Sequence, residues 1–176
     1  MCFVIAVSGS ASSDKHLSLE SLLLAEQVGE EIAACKMIVL TGGKGGVMRA
    51  ACKGAKRKGG TTIGILPFSK EEANEFVDIA LPTNMGYGRN RLVVSMVDAV
   101  IAIAGRWGTL NEISEALMQQ KPLVLLTGTG GIVEKCVKNE FISVENEFVS
   151  IATTPADAVK KALALINKKN KSKTLI

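Results

Sequence analysis

Two short stretches hold the residues that could do chemistry. Met85-Gly86-Tyr87-Gly88-Arg89-Asn90-Arg91 sets an arginine in a glycine-flanked loop, a planar donor fork suited to phosphate or carboxylate. Beyond an apolar strand, Gly105-Arg106-Trp107-Gly108-Thr109-Leu110-Asn111-Glu112 joins a glycine turn to the start of a helix. There the Thr109 hydroxyl and the first-turn amides can grip a phosphate, and Glu112 stands one turn in, on the Thr109 side by i,i+3 spacing. A purely structural account competes at each place. Glu112 also reads as an acidic first-turn residue that favours the helix dipole, and Arg89-Asn90-Arg91 as an exposed polar start to a helix ending near Met96. The dipole account leaves the neighbouring glycines unexplained. Glu115, a turn further in, reads as solvated or paired with a lysine or arginine.

These residues need a scaffold that brings distant loops together. Short β-branched runs predict strands near 3–7, 37–41, 61–66, 77–80, 98–103, 122–126 and 148–151, and 3.6-residue periodicity predicts helices near 16–34, 45–58, 88–96, 108–119, 130–138 and 155–168. Regular alternation of strand and helix implies an α/β fold: a doubly wound, mainly parallel Rossmann-like sheet with helices on both faces. Ser12, Ser13 and Asp14 offer caps for the first helix, Thr154-Pro155 opens the last, and Pro122 marks where the helix from Gly108 must already have stopped. No linker divides the chain, so residues 1–166 are expected to form one nucleotide-binding domain and 167–176 a basic, frayed tail.

Ligands of such sheets bind beyond the carboxyl ends of the strands. Three strands end in glycine turns: Ser8-Gly9-Ser10, Thr41-Gly42-Gly43-Lys44-Gly45-Gly46 and Ala104-Gly105-Arg106-Trp107-Gly108-Thr109. The second is not a Walker A loop, because no Gly-Lys-Ser/Thr ending follows, and the chain lacks the dinucleotide fingerprint with its acid after the second strand. An NAD-dependent dehydrogenase is therefore disfavoured.

Composition narrows the classes further. The chain has 176 residues, 47% of them hydrophobic and only 4% aromatic. No apolar run reaches the ~20 residues that cross a bilayer. Phe3–Val7 is shorter than a signal-peptide core and has no basic lead, so a cytoplasmic protein without membrane attachment is expected. Four cysteines (Cys2, Cys35, Cys52, Cys136) form no Cys-x-x-Cys pair, and the single histidine, His16, rules out a site with several histidine ligands. The net charge of +4 comes from four lysines in the last ten residues; without them 17 basic residues face 17 acidic ones, which argues against nucleic acid as the partner.

At its glycine motifs the chain resembles the family that includes the LONELY GUY cytokinin-activating phosphoribohydrolases. Ala104-Gly105-Arg106-Trp107-Gly108-Thr109-Leu110-Asn111-Glu112 is similar to that family's Pro-Gly-Gly-x-Gly-Thr-x-x-Glu, Arg89 stands where the family arginine stands, and Gly42-Gly43-Lys44-Gly45-Gly46-Val47-Met48 resembles its Gly-Gly-x-x-Gly-x-Met turn. The likeness runs from Phe3 to about Leu126. Ala104 replaces proline, Arg106 replaces the second glycine, and Asn90 replaces lysine. In the last feature and in size the chain looks closer to a sister branch, the molybdenum-cofactor-carrier-like and DNA-processing-protein-A-related proteins. The lysine decarboxylase label attached to the family is discounted, since nothing in these residues supports pyridoxal phosphate chemistry.

The resemblance implies a nucleoside 5′-monophosphate phosphoribohydrolase, with Arg89 and Glu112 catalytic. Ser8, Gly9, Ser10, Gly42, Gly43, Gly45, Gly46, Met48, Asn90, Gly105, Arg106, Gly108 and Thr109 would bind the substrate, with the phosphate on the amides of Gly105, Gly108 and Thr109 and help from Gly43. No metal or other cofactor is required by that reaction. A homodimer with Arg89 near the subunit interface is implied as well. The alternative is a non-catalytic carrier of a nucleotide or of the molybdenum cofactor, a pterin-phosphate, and Arg106 is the residue that separates the two readings.

Overall fold

A computed structural model describes residues 2–11, 17–139, 142 and 146–174. Seven strands run in chain order: β1 (Val4–Gly9), β2 (Ile38–Thr41), β3 (Thr62–Leu66), β4 (Ile79–Pro82), β5 (Ala99–Ile103), β6 (Leu123–Leu126) and β7 (Val149–Ala152). They form one parallel sheet in the order β4-β3-β2-β1-β5-β6-β7. The chain winds outward from β1 to β4, crosses back, and winds the other way from β5. The crevice that this reversal opens lies beyond the ends of β1 and β5, where Gly9 pairs with Ile103.

The helices are α1 (Leu19–Ala34), α2 (Val47–Arg57), α3 (Asn90–Ser95), α4 (Trp107–Met118), α5 (Gly131–Lys138) and α6 (Pro155–Thr174). Alternate residues of each strand feed opposite cores. Ile5, Val7, Ile101 and Ile103 pack with α1, α2 and α6, while Ala6, Val100, Ala102 and Leu125 pack with α3, α4 and α5. Burial on both faces is why these strands read as unbroken apolar runs.

Local differences from the sequence reading have simple causes. Ser18 caps α1, its Oγ accepting from Ser21 N at 3.0 Å. The caps expected at Ser12, Ser13 and Asp14, and His16 itself, lie outside the described residues. Ser8 and Gly9 belong to β1 instead of a turn, because parallel pairing with β5 continues through them. The fourth strand starts at Ile79, not residue 77, since Asp78 is held by Thr62: its carboxylate accepts from Thr62 N at 2.9 Å. At the other end, α6 continues past Asn167 to Thr174, with Lys169 Nζ donating to Gln120 O at 2.5 Å and Lys168 paired with Glu147 at 3.3 Å. Those lysines bridge to neighbouring elements instead of trailing as a tail.

The closest packing in the fold is between α1 and α2. A Cβ added to Gly54 would lie 1.8 Å from Glu26 O, and one added to Gly29 would lie 2.0 Å from Ala51 O. The two backbones touch, and Glu26 sits over the seam with Lys53 Nζ at 3.0 Å and Arg57 also paired to it. Intrinsic helix preference favours alanine over glycine by ~1 kcal/mol, so Gly54→Ala would stabilise a free helix. Here the clash is with backbone that cannot swing aside, and Gly54→Ala or Gly29→Ala is expected to lose ~2 kcal/mol or more. Urea denaturation followed by circular dichroism checks the sign.

Candidate active site

Three strand ends meet at the crevice, and the residue after each β-branched run decides what can approach. A Cβ on Gly9 would lie 2.4 Å from Val47 Cγ1 and 2.6 Å from Ile103 O, so glycine is needed there for α2 and β5 to close on β1. On either side of it, two hydroxyls do different work. Ser8 Oγ donates to Glu112 Oε2. Ser10 Oγ accepts from Gly105 N at 3.0 Å, and Ser10 O accepts from Val47 N at 2.9 Å, which ties β1 to both of the other glycine turns.

The loop after β2 is built from within. Thr41 Oγ1 accepts from Gly43 N at 3.0 Å, and Gly43 adopts φ +76°, a left-handed conformation that glycine takes without strain. Its carbonyls are held by Asn74, whose Nδ2 donates to Gly43 O at 3.0 Å and to Lys44 O at 2.9 Å. Ion pairs of Lys44 with Glu72 (2.8 Å) and Lys56 with Asp78 (2.7 Å), and a further pair of Arg49 with Glu75, fasten the segment between β3 and β4 over this loop. Gly42 has another purpose: a Cβ there would lie 2.5 Å from Arg89 Nη1, so its bare backbone makes room for the guanidinium.

The turn after β5 is equally committed. Ala104 takes φ +52° and Gly105 φ +90°. Ala104 N donates to Thr129 Oγ1 at 2.8 Å, while the carbonyls of Gly105 and Ala104 accept from Ile132 N at 2.8 Å and Val133 N at 3.0 Å at the start of α5. A Cβ on Gly105 would lie 2.4 Å from Thr109 Cβ, which fixes how closely α4 follows the turn. The first bond of α4 runs from Leu110 N to Arg106 O, so the amides of Trp107, Gly108 and Thr109 have no partner within the helix.

A cavity of about 720 Å³ opens over these parts. Arg89, Glu112, Asn90, Met48, Ser10 and Gly9 line it, as do Arg106, Gly108 and Thr109 from the same sequence-based set. Ser8, Gly42, Gly43, Gly45, Gly46 and Gly105 do not. Two amides expected to hold phosphate have other partners: Gly43 N bonds Thr41 and Gly105 N bonds Ser10. The backbone amides left without a partner in the helix are those of the first turn of α4. Four lining residues stand outside the sequence-based set: Ala11, Asn111, Trp107 and Tyr87. The last three lie inside the two motifs, where type alone did not separate them from spacers. Asn74 carried no signal at all, being distant in sequence from every glycine it supports. A second cavity of about 480 Å³ lies across the Gly105–Trp107 turn, with Lys135 on its wall.

Of the three charged residues that line the main cavity, Arg106 is exposed and the other two are buried. Arg89 is 9% exposed and Glu112 8%. Burial pushes the Glu112 carboxyl pKa up, opposed by the Ser8 hydrogen bond and by the charge of Arg89. Burial likewise pulls the Arg89 guanidinium down, opposed chiefly by Glu112. Arg89 Nη1 has no hydrogen-bond partner among the described residues. Asn90 Nδ2 donates to Asn111 Oδ1 at 3.0 Å and so holds the start of α3, just after Arg89, against α4. Glu115 accepts from Gln119 Nε2 at 3.0 Å. No group of three or more His, Cys, Asp or Glu among the described residues is arranged to hold a metal ion, and no described helix is long and apolar enough to cross a membrane.

The backbone at Ala104 accounts for one departure from the hydrolase motif. Proline is locked near φ −65° and has no N–H, whereas this position needs φ +52° and a donor to Thr129. Ala104→Gly is expected to hold or raise the melting temperature, and Ala104→Pro to cost ~3 kcal/mol or more. Thermal unfolding of the two variants in parallel tests this.

Comparison with known proteins agrees with the geometry. Residues 2–159 match the model of the SLOG cluster4 family. The chain is 31% identical to the cytokinin riboside 5′-monophosphate phosphoribohydrolase of Mycobacterium tuberculosis over 68% of each protein. Among solved structures it is similar to the molybdenum cofactor binding protein of Rippkaea orientalis, with 35% identity, a TM-score of 0.80 and coverage of 96% and 97%. The molybdenum cofactor carrier protein of Chlamydomonas reinhardtii gives 34% identity and a TM-score of 0.82 over 96% and 99% of the two chains. With its family model matched over nearly the whole chain and its glycine turns gathered at one crevice, the protein belongs to the SLOG cluster4 family.

Proposed function

We propose that the protein is a nucleoside 5′-monophosphate phosphoribohydrolase, splitting its substrate with water into free base and ribose 5-phosphate. The observation that carries this reading is the buried carboxyl group of Glu112, oriented by Ser8 and set in the same cavity as Arg89. As the N-glycosidic bond lengthens, positive charge develops on the ribose ring, and a carboxylate beside C1′ stabilises it. Glu112 also accepts a proton from water as the hydroxyl adds to C1′ and the C1′–N bond breaks; the departing base takes its proton from solvent, and Glu112 afterwards returns the one it accepted to solvent. The raised pKa brings Glu112 nearer the operating pH, where a general base is most effective. The 5′-phosphate sits on the first-turn amides of α4, and Arg89 Nη1 reaches the phosphate or the sugar beside the reacting bond. Relatives named as phosphoribohydrolases support this assignment. A cytoplasmic homodimer needing no cofactor belongs to the same reading.

Two observations favour a second reading, a carrier that holds a nucleotide or the molybdenum cofactor without turning it over. Similarity to the molybdenum cofactor carriers covers nearly all of both chains, and Arg106 brings a cation to the wall of the cavity where the hydrolase motif has glycine. The two readings share the phosphate-binding groups and differ in the parts played by Arg106 and Glu112.

Incubation with AMP, followed by chromatography of the released base, separates them. Wild type is expected to release adenine, and Glu112→Gln to lower the rate by ~10²-fold or more while AMP affinity stays within a few-fold. Binding without release in the wild type establishes the carrier instead. Because Glu112 acts as the ionised form, kcat/KM should fall as pH drops through its raised pKa, with the acid limb above the ordinary carboxylate range. The same shift has a stability sign. A carboxyl whose folded pKa exceeds its unfolded value destabilises the fold above that folded pKa, and the penalty vanishes below the unfolded value. Glu112→Gln should therefore raise the melting temperature at neutral pH, by ~2–4 °C for each kcal/mol relieved, and lose that advantage in acid.

A further inference from the structure

The chain contains one tryptophan and one tyrosine, and both line the main cavity. Neither is packed into the protein: Trp107 is 77% exposed and Tyr87 88%. Large aromatic surfaces left in water at the mouth of a buried charged site call for something flat to cover them. We infer that Trp107 and Tyr87 receive the planar ring of the ligand, so that the site selects a flat heterocycle by its face and not by the hydrogen-bonding pattern of its edge. This deepens the nucleotide reading above and rests on it.

Three observations converge. First, the opposite end of a ligand has an anchor of its own in the same cavity, the buried Arg89 Nη1 that lacks a partner among the described residues. A nucleotide or pterin-phosphate has the matching polarity, an anion at one end and a π surface at the other. Second, the two rings are carried by elements fixed to each other. Tyr87 lies in the single 3-10 turn Gly86–Arg89 that leads into α3, Trp107 is the first residue of α4, and the Asn90–Asn111 hydrogen bond of 3.0 Å joins the starts of the two helices. Gly86 takes φ +54° in that turn, and a Cβ on it would lie only 3.5 Å from the ring of Phe68, which backs the turn from the segment after β3. Third, two of the neutral hydrogen-bonding side chains that line the cavity are engaged within the protein: Asn90 donates to Asn111, and Ser10 accepts from Gly105 N. Stacking of this kind tolerates different bases, since every base has a π face.

The test uses the Glu112→Gln protein, so that AMP is not consumed, and reads the emission of Trp107, the chain's only tryptophan. AMP and GMP should quench that emission with affinities within about threefold of each other, and ribose 5-phosphate should bind at least ~10-fold more weakly by calorimetry. By calorimetry, Trp107→Leu and Tyr87→Leu should each weaken AMP by ~10-fold while leaving ribose 5-phosphate within about twofold, and Trp107→Phe should keep most of the AMP affinity. Equal affinities for AMP and ribose 5-phosphate, or leucine variants that leave their ratio unchanged, would overturn the inference and leave the phosphate site standing. So would a hundredfold preference between AMP and GMP. If the leucine variants convert a dimer to a monomer in sedimentation with the ratio intact, the rings belong to a subunit contact and the inference is wrong. If neither AMP nor ribose 5-phosphate binds, the nucleotide reading itself fails and takes this inference with it.

Discussion

Burying a carboxyl group and a guanidinium in one crevice is the constraint from which the rest of this architecture follows. Each charge taken out of water costs several kcal/mol unless neighbours compensate, and the attraction between the two recovers only part of that. The fold supplies the remainder from nearby elements. Ser8 on β1 donates to Glu112, Gly42 leaves the space that the Arg89 guanidinium fills, and Asn90 fixes the start of α3 against α4. The compensation is incomplete at Arg89 Nη1 and in the raised pKa of Glu112. Such imbalance is found where a protein keeps capacity for a ligand.

Much of this was legible in the sequence because it follows from periodicity. Strands buried on both faces must be apolar throughout, so FVIAV, DAVIAI and PLVLL announce a parallel sheet, and a parallel sheet announces a crevice at its strand ends. Arg89 and Glu112 were legible as types beside glycine turns. The individual duties of the glycines were not. A glycine marks a place where a side chain would be intolerable, but sequence cannot say whether ligand, backbone or another side chain occupies the space. Gly9 yields to Val47, Gly42 to Arg89 and Gly105 to Thr109. Gly43 and Gly105 direct their amides inward, to Thr41 and Ser10. Asn74 stayed hidden for a related reason, since its contacts are to backbone carbonyls, which every residue possesses.

The hydrolase and carrier readings draw on the same geometry, which explains how one chain can be similar to proteins named for each. Phosphate recognition by first-turn amides depends on the path of the backbone and is indifferent to what happens at C1′. Arg106 is placed to affect both, because it stands at the N-cap of α4 and on the walls of the two adjoining cavities. At that position glycine leaves open space, whereas arginine adds charge and bulk beside the ligand.

The central place of β1 in the sheet also sets when the site can come into being. β1 pairs with β5, joining Ile5 to Ala99, and the Ala104–Gly105 turn is then clamped by the amides of Ile132 and Val133. A growing chain can pair β1 with β2 and β2 with β3 early, yet the crevice needs a pairing that spans more than half the sequence and a clamp that arrives later still. Contacts of such long range form slowly and leave apolar strand edges uncovered in the meantime. The crevice is thus among the last parts of the fold to be completed, and a molecule bound in it would hold the two halves together.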